Sequence, residues 1–309
     1  MKSTATILLA LLILVLLTQI PIQNVRVSVH YQPAGTSIEE VKKSEPIFPQ
    51  IDILAKAAIV IDYPHGRMIF GKNHEEPLAL ASLSKLMTAL VVVDSTGSSE
   101  INFQARILEE DILMEGDSGF LVDEEFLGRE LMRAMLVGSS NDAAHALART
   151  SSLYVLTDSS PLAFTELMNK KAHDLGLVSM RFLNETGLDI SENEAGGFGS
   201  ASDIARAFLL MLRDFPGLLS STKNQEIRVE SVSGRTIDVK NSNSFAGTLP
   251  GLIASKTGFT DIAGGNLAIA VDIGFQNPVI IVVLGSSESG RFDDILKLYE
   301  ATKIYFESI

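Results

Sequence analysis

The 309-residue chain contains no cysteine. This absence excludes disulfide bonds, zinc sites built on thiolates and a cysteine nucleophile, but it does not identify the compartment, because many exported proteins also lack cysteine. The chain has no run of lysine or arginine either, and its formal net charge is −13. Such a charge repels phosphate backbones, so we expect no nucleic-acid partner. Hydrophobic residues make up 46% of the chain and charged residues 20%. This composition is typical of a folded globular protein.

The N-terminus is a candidate export segment. Residues 3–24 carry no charged side chain, and residues 7–17 are all apolar. Eleven apolar residues suit a signal peptide, whereas the whole uncharged stretch reaches the roughly 20 residues of a membrane-spanning helix. Because no A-x-A-like cleavage site follows, we expect a signal anchor over 1–24, with a cleaved signal peptide as the alternative. An extended, proline-punctuated linker over 25–52 and an extracytoplasmic domain over 53–309 would follow.

The remaining sequence predicts a hairpin, then helices, then strands and a last helix. Two β-rich runs, 57–63 and 67–70, surround a Pro-His-Gly turn. The predicted helices begin near residues 81, 127, 141, 161, 202 and 292, and the later predicted strands cover 226–231, 235–240, 252–260, 266–273 and 279–285. With strands at both ends and helices between them, the order predicts an α+β domain: one antiparallel sheet flanked by helices.

A lysine stands in the most apolar of these helices. The stretch ASLSKLMTALVV, residues 81–92, places Ser82 three residues before Lys85, and therefore on the same helical face. Burial of an ammonium group is costly, so Lys85 must reach solvent, find a partner or have a lowered pKa. In the last case it is a base that can activate the Ser82 hydroxyl for acyl transfer. The plain alternative is a capping serine and a snorkelling lysine, and Ser220 and Lys223 share the same spacing.

Two further motifs strengthen the acyl-transfer interpretation. Ser139-Ser140-Asn141 lies at a helix boundary, where a hydroxyl could relay a proton and an amide could bind a carbonyl, although ordinary helix capping is the alternative. Lys256-Thr257-Gly258 lies on a predicted strand and occurs once in the chain. Its glycine admits close approach of another backbone, and its lysine and threonine offer a cation and a hydroxyl to a carboxylate. Alone, this tripeptide would indicate only an exposed edge strand.

Together the three motifs resemble those of the penicillin-recognising serine acyltransferases, which have the β-lactamase/transpeptidase-like fold. The wider stretches are similar to D-alanyl-D-alanine carboxypeptidases of the low-molecular-weight penicillin-binding protein type, from about residue 57 to the C-terminus. The stretches that carry this resemblance are ASLSKLMTALVVVD, LMRAMLVGSSNDAAHALA, FLNETGLD, KTGFTDIAGGNLAIA and GRFDDILKLYEATKIYF.

The resemblance implies a role for each matching residue. Ser82 would be the nucleophile, Lys85 its base and Ser139 the relay toward the leaving group. Substrate would be held by Asn141, Lys256, Thr257 and Gly258, with the backbone N–H groups of Ser82 and Phe259 forming an oxyanion hole. Arg291 would assist with the substrate carboxylate, or else form a surface ion pair with Asp293 or Asp294. The implied substrate is a peptidoglycan stem peptide ending in D-Ala-D-Ala, β-lactams are implied inhibitors, and no cofactor or metal is implied.

Several alternatives stay open at this stage. A D,D-endopeptidase, a class A-like β-lactamase and a penicillin-binding sensor without turnover would carry related motifs. Glu185 matters here because this family branch commonly has proline at that position, whereas a class A β-lactamase uses a glutamate to activate water. A single loop carboxylate is more often solvated, and we expect that of Glu185. The five histidines show no metal-binding spacing, so we expect structural or solvated side chains.

Overall fold

The two ends of the domain sequence meet in one antiparallel sheet. A computed structural model describes residues 47–63, 65–97, 101–116, 118–155, 161–274 and 276–308. The first strand, β1 (Ala57–Asp62), pairs on one side with β2 (Arg67–Lys72) and on the other with the last strand, β12 (Pro278–Ser286). Next to β12 lie β11 (Gly264–Asp272) and then β10 (Leu252–Thr260), so β10 and β2 are the two edge strands.

Three small sheets accompany this main sheet. They contain β3 (Leu78–Ala79) with β6 (Arg181–Phe182) and β7 (Gly197–Gly199), β4 (Gln104–Arg106) with β5 (Glu125–Leu127), and β8 (Glu226–Glu230) with β9 (Thr236–Lys240). The α+β class and the antiparallel sheet flanked by helices are therefore confirmed. The strands predicted over 226–231 and 235–240 form, but they pair with each other outside the main sheet.

The helices divide between the two faces of the main sheet. They are α1 (Lys85–Thr96), α2 (Glu109–Ile112), α3 (Gly128–Val137), α4 (Asn141–Ser152), α5 (Pro161–Asp174), α6 (Ala201–Asp214), α7 (Pro216–Leu219) and α8 (Gly290–Glu307). Because side chains alternate along a strand, Ile59 and Ile61 of β1 pack into the larger helical core, whereas Ala58 and Val60 pack into the core under α8. This two-sided burial explains why β1 is apolar without alternation.

The α1 helix is enclosed, as its apolar sequence predicts. Every residue from Lys85 to Val93 is buried. The helix ends at Gly97, whose positive φ of 65° gives a left-handed C-cap. A fully enclosed helix gives Lys85 no route to solvent, which is the condition that the sequence left open.

Most of the predicted anchor and linker lies outside the described residues, which begin at residue 47. The fold described above belongs to the compact unit Pro46–Ile309. Within the part of the chain that the structure describes, none of the helices has the length and apolar character needed to cross a bilayer.

Candidate active site

The candidate nucleophile lies in a tight turn before α1. Residues Ala81–Ser84 form a 3₁₀ turn, and the α-helix begins only at Lys85, so the predicted helix start at residue 81 is wrong by one turn. Ala81 has a positive φ of 47°, a conformation that is strained for a residue with a side chain and is often found at functional sites. The turn leaves Ser82 half-buried while its neighbours Leu83 and Ser84 are buried.

The Lys85 amine is fully buried against three oxygen atoms. Its Nζ lies 2.9 Å from Ser82 Oγ, 2.6 Å from Asn141 Oδ1 and 2.6 Å from the carbonyl oxygen of Thr186. Burial lowers the pKa of Lys85 from 10.5 to about 7, and the negative charge of Glu185 partly opposes this shift. A snorkelling lysine is therefore excluded, and a substantial fraction of the amine is neutral near neutral pH.

The Ser139 turn supplies the second side of the site. Ser139 has a positive φ of 62°, and the turn connects α3 to α4. The helix cap is Ser140, whose Oγ accepts a hydrogen bond from the Ala143 N–H at 3.0 Å. Ser140, and not Asn141, is therefore the helix cap, and the Asn141 side chain contacts Lys85 and donates to the Glu115 carbonyl oxygen at 2.6 Å.

Strand β10 supplies the third side of the site. Lys256 Nζ donates to Ser139 Oγ at 2.8 Å and to the Thr257 carbonyl oxygen at 2.7 Å. The pKa of Lys256 is well below its usual value because of burial, with further lowering by the charges of Lys85 and Arg291. β10 lies at an edge of the sheet, as the tripeptide suggests. Lys256 and Thr257 are only 1% and 3% exposed, however, so the interpretation as an exposed edge strand is wrong.

Sequence reasoning missed Ser242. Its Oγ lies 2.6 Å from Thr257 Oγ1, and its backbone N–H donates to the Val137 carbonyl oxygen at 3.1 Å. Ser242 thereby orients the Thr257 hydroxyl from a loop that carries none of the three motifs. No local pattern marks this serine, because its contact depends on a loop folding back against β10.

Gly258 brings β10 against the nucleophile turn. A Cβ atom at this position would lie 2.8 Å from the Leu80 carbonyl oxygen and 3.2 Å from the backbone nitrogens of Ser82 and Leu83. Only glycine permits this approach. The next residue, Phe259, exposes 42% of its surface. The backbone of Ser82 and the end of β10 are thus adjacent, which is the arrangement that an oxyanion hole requires.

Arg291 lies behind the same strand. It is 7% exposed, and its Nη1 donates to the Gly258 carbonyl oxygen at 2.8 Å. The alternative interpretation, a surface ion pair with Asp293 or Asp294, is wrong. Arg291 is buried, and Asp294 instead accepts hydrogen bonds from the Leu54 and Ala55 N–H groups. Arg291 therefore adds positive charge behind the strand that carries Lys256.

Glu185 is buried, and the expectation of a solvated loop carboxylate is wrong. It is 3% exposed, and its Oε1 lies 2.8 Å from Nδ1 of the buried His145. The fold also places His145, Glu110 and Asp111 together, with possible ligand atoms within 4.8 Å of one another, although sequence spacing did not indicate this. Arg149 contacts Asp111 at 2.8 Å and Glu110 at 3.5 Å, so a guanidinium already pairs with both carboxylates.

The Ser220–Lys223 pair, which has the same spacing as Ser82 and Lys85, forms a different structure. These residues make a separate 3₁₀ turn, Lys223 is exposed, and Ser220 Oγ donates to the Gly217 carbonyl oxygen. Spacing alone therefore does not produce the buried amine of Lys85.

The sequence comparisons agree with this geometry. The sequence model of the D-alanyl-D-alanine carboxypeptidases (peptidase S11) matches residues 40–288. The chain is 28% identical to the D-alanyl-D-alanine carboxypeptidase DacF of Bacillus subtilis over 257 residues, which cover 82% of this chain and 63% of DacF. It is 30% identical to a D-alanyl-D-alanine endopeptidase of Pseudomonas aeruginosa over 238 residues, 76% of this chain and 72% of that protein.

A solved structure shows the same fold. Penicillin-binding protein D2 of Listeria monocytogenes, in its ampicillin-bound form, is 27% identical, with a TM-score of 0.69 over 82% of this chain and 99% of that chain. The chain belongs to the peptidase S11 family of D-alanyl-D-alanine carboxypeptidases. It spans somewhat less than two thirds of the length of DacF.

Proposed function

We propose that this protein is a serine-type D-Ala-D-Ala carboxypeptidase that trims peptidoglycan stem peptides through an acyl-enzyme on Ser82. The observation that carries the proposal is the environment of the Lys85 amine. A neutral amine has two N–H donors and one lone pair. Asn141 Oδ1 and the Thr186 carbonyl oxygen can only accept, so the two N–H groups point to them and the lone pair is left for the Ser82 hydroxyl.

Acylation follows from this arrangement. Lys85 removes the Ser82 proton as Oγ bonds to the carbonyl carbon of the penultimate D-Ala. The developing oxyanion lies between the backbone N–H groups of Ser82 and Phe259. When the C–N bond breaks, the leaving amine of the terminal D-Ala takes up the proton that Lys85 removed, relayed through the Ser139 hydroxyl, which Lys256 contacts at 2.8 Å. Water then hydrolyses the ester and restores Ser82.

The substrate carboxylate is bound by the other half of the site. Thr257, oriented by Ser242, donates its hydroxyl to the carboxylate, and Lys256 and Arg291 supply positive potential around it. An overall charge of −13 makes such a local positive site necessary for an anionic substrate. Asn141 holds the substrate amide on the opposite side.

D,D-endopeptidase action on cross-linked peptides is the second candidate. The observation that favours it is the Pseudomonas aeruginosa endopeptidase, which matches this chain at 30% identity, against 28% for DacF. Both reactions cleave a D-alanyl-D-alanine-type amide through the same acyl-enzyme, and they differ in the group that leaves. β-Lactams would acylate Ser82 in either case, as suggested by the ampicillin-bound Listeria monocytogenes relative.

The substrate places the domain outside the cytoplasm, at the cell wall. The uncharged segment over 3–24 would export the chain and hold it at the membrane, or release it if the segment is cleaved. The partners would then be peptidoglycan stem peptides, β-lactams as covalent inhibitors, and the membrane through the N-terminus.

The experiment compares two substrates under identical conditions. The purified protein is incubated with a stem pentapeptide ending in D-Ala-D-Ala and with a cross-linked dimer, and products are separated by chromatography. Catalytic release of D-Ala from the pentapeptide supports the carboxypeptidase, and cleavage of the dimer alone supports the endopeptidase. A stable penicillin adduct without turnover of either peptide indicates a sensor, and rapid penicillin hydrolysis without peptide cleavage indicates a β-lactamase.

A further inference from the structure

A buried pair of titratable side chains, His145 and Glu185, lies next to the segments that hold the Lys85 amine. His145 Nδ1 lies 2.8 Å from Glu185 Oε1, and the two side chains are 9% and 4% exposed. Among the described residues, the second carboxylate oxygen of Glu185 is buried without a hydrogen-bond partner. A buried carboxylate that is only half satisfied is costly, so this arrangement needs a compensating function.

The pair connects the two segments that hold Lys85. Glu185 directly precedes Thr186, whose carbonyl oxygen accepts from the Lys85 amine. The carbonyl oxygen of Glu185 accepts from Thr88 Oγ1 at 2.6 Å, one turn further along α1. His145 lies on α4, one turn after Asn141, which is the other acceptor of the amine. A contact between His145 and Glu185 therefore fixes Asn141 and Thr186 relative to each other.

We propose that His145 and Glu185 are positioning residues that hold the two acceptors of the Lys85 amine and set the charge around it. The proposal rests on the proposed function, because it assigns the pair to the base of that reaction. The Glu185 carboxylate is buried against His145, so we do not assign it to activation of the hydrolytic water.

The charges around His145 and Glu185 affect the pKa values of Lys85 and of His145 itself. The charge of Glu185 is the effect that opposes the lowering of the Lys85 pKa by burial. Burial alone would lower the pKa of His145, but its hydrogen bond to Glu185 and the charges of Glu185, Asp111 and Glu110 outweigh that effect and raise it. Two basic side chains belong to the same group of charges. Arg149 pairs with Asp111, and the charge of Lys85 lowers the pKa of Lys256.

The two members should therefore act in opposite directions. Acylation needs neutral Lys85, so its rate rises as the pH increases through the Lys85 pKa. Glu185→Gln removes the negative charge, which favours the neutral amine and moves this rise to lower pH. His145→Gln keeps a donor toward Glu185 but removes the positive charge that protonated His145 supplies, which leaves the carboxylate uncompensated and moves the rise to higher pH. We expect shifts of roughly half to one pH unit in each direction.

The test measures the second-order rate of acylation by a fluorescent penicillin between pH 5 and 9 for the full chain and both variants. The matched control is Glu192→Gln, which makes the same charge change at an exposed residue near Glu185 in sequence. Because the readout is the midpoint of the pH profile, a variant that is only partly folded still reports on its folded fraction. If one variant yields no folded protein, the direction in which the midpoint of the other variant shifts decides whether the proposal stands.

The outcomes separate this inference from the proposed function. Opposite shifts for the two variants, with none for Glu192→Gln, support the pair as described. Unshifted midpoints, or shifts in one direction for both, overturn it, even if both variants unfold at lower temperature. A wild-type protein that is not acylated at all would instead overturn the proposed function, because no base would be acting on Ser82.

Discussion

At the residue scale, Lys85 shows how a fold can produce a base from an amine. Its amine is buried at the start of α1 and contacts three oxygen atoms, two of which cannot donate a proton. Burial favours the neutral amine and lowers its pKa to about 7. Glu185 keeps that pKa from falling further, so the base remains strong enough to accept the Ser82 proton.

Replacing this amine tests its role directly. We expect Lys85→Met to reduce the rate of penicillin acylation by roughly 10²- to 10⁴-fold, the range typical for loss of a general base. The rate is measured by fluorescence on a gel or by intact-protein mass spectrometry. Lys223→Met is the matched control, because Lys223 follows a serine at the same spacing but is exposed. Equal rates for the two variants would contradict the role of Lys85.

The pH dependence of the wild type follows from the same pKa. Below pH 7 Lys85 becomes protonated and cannot accept the Ser82 proton, so the acylation rate should fall about tenfold for each pH unit of further acidification. It should rise through a midpoint near the Lys85 pKa of about 7 and then level off. Stopped-flow measurement of acylation provides the profile. A rate that stays constant between roughly pH 5.5 and pH 8.5 would show that another group is the base.

At the element scale, the site depends on the close approach of β10 to the Ser82 turn. We expect Gly258→Ala to lower the acylation rate by roughly 10- to 100-fold, because the added methyl group would push the strand away from the nucleophile. Gly217→Ala is the control, since a Cβ atom at Gly217 meets nothing within 4 Å. Stopped-flow acylation rates compare the two, and a rate for Gly258→Ala equal to that of the control would rule out a requirement for this approach.

The elements also show what can be predicted from sequence. The apolar α1 pattern and the strand-rich C-terminal half predicted the sheet and helices, because hydrophobic periodicity reflects burial directly. The contact between Ser242 and Thr257 was missed, as was the pair of His145 and Glu185. The partners in these contacts are 15 and 40 residues apart, and no local spacing records which distant segments the fold brings together.

Capping residues show the same limit at shorter range. Ser140 and Asn141 are both good helix caps, and the sequence does not say which of them the chain uses. In the structure Ser140 caps α4, and this releases Asn141 for Lys85. Similarly, the 3₁₀ turn at Ala81–Ser84 reads as ordinary helix in the sequence.

At the scale of the whole molecule, Asp294 joins both ends of the domain. Its carboxylate is fully buried and accepts from the Leu54 and Ala55 N–H groups and from Ser286 Oγ, at 2.6–2.9 Å. These contacts tie α8 to the entry of β1 and the end of β12.

Removal of this carboxylate should weaken the fold more than the chemistry. We expect Asp294→Ala to lower the free energy of unfolding by roughly 2–4 kcal/mol, because the buried Ala55 N–H, the part-buried Leu54 N–H and a buried hydroxyl lose their acceptor. Urea-induced unfolding measures the change. Asp293→Ala is the control, since Asp293 is its exposed neighbour on the same helix. Equal losses for the two variants would show that the buried contacts contribute little.

The central claim is that Ser82 is the residue acylated by substrate and by β-lactams. The most direct measurement is mass-spectrometric mapping of the protein after incubation with penicillin and digestion, with Ser82→Ala as the reference. We expect one added penicilloyl group, on the peptide that contains Ser82, and none in the variant. An adduct on the peptide that contains Ser220, or an adduct that persists in Ser82→Ala, would contradict it.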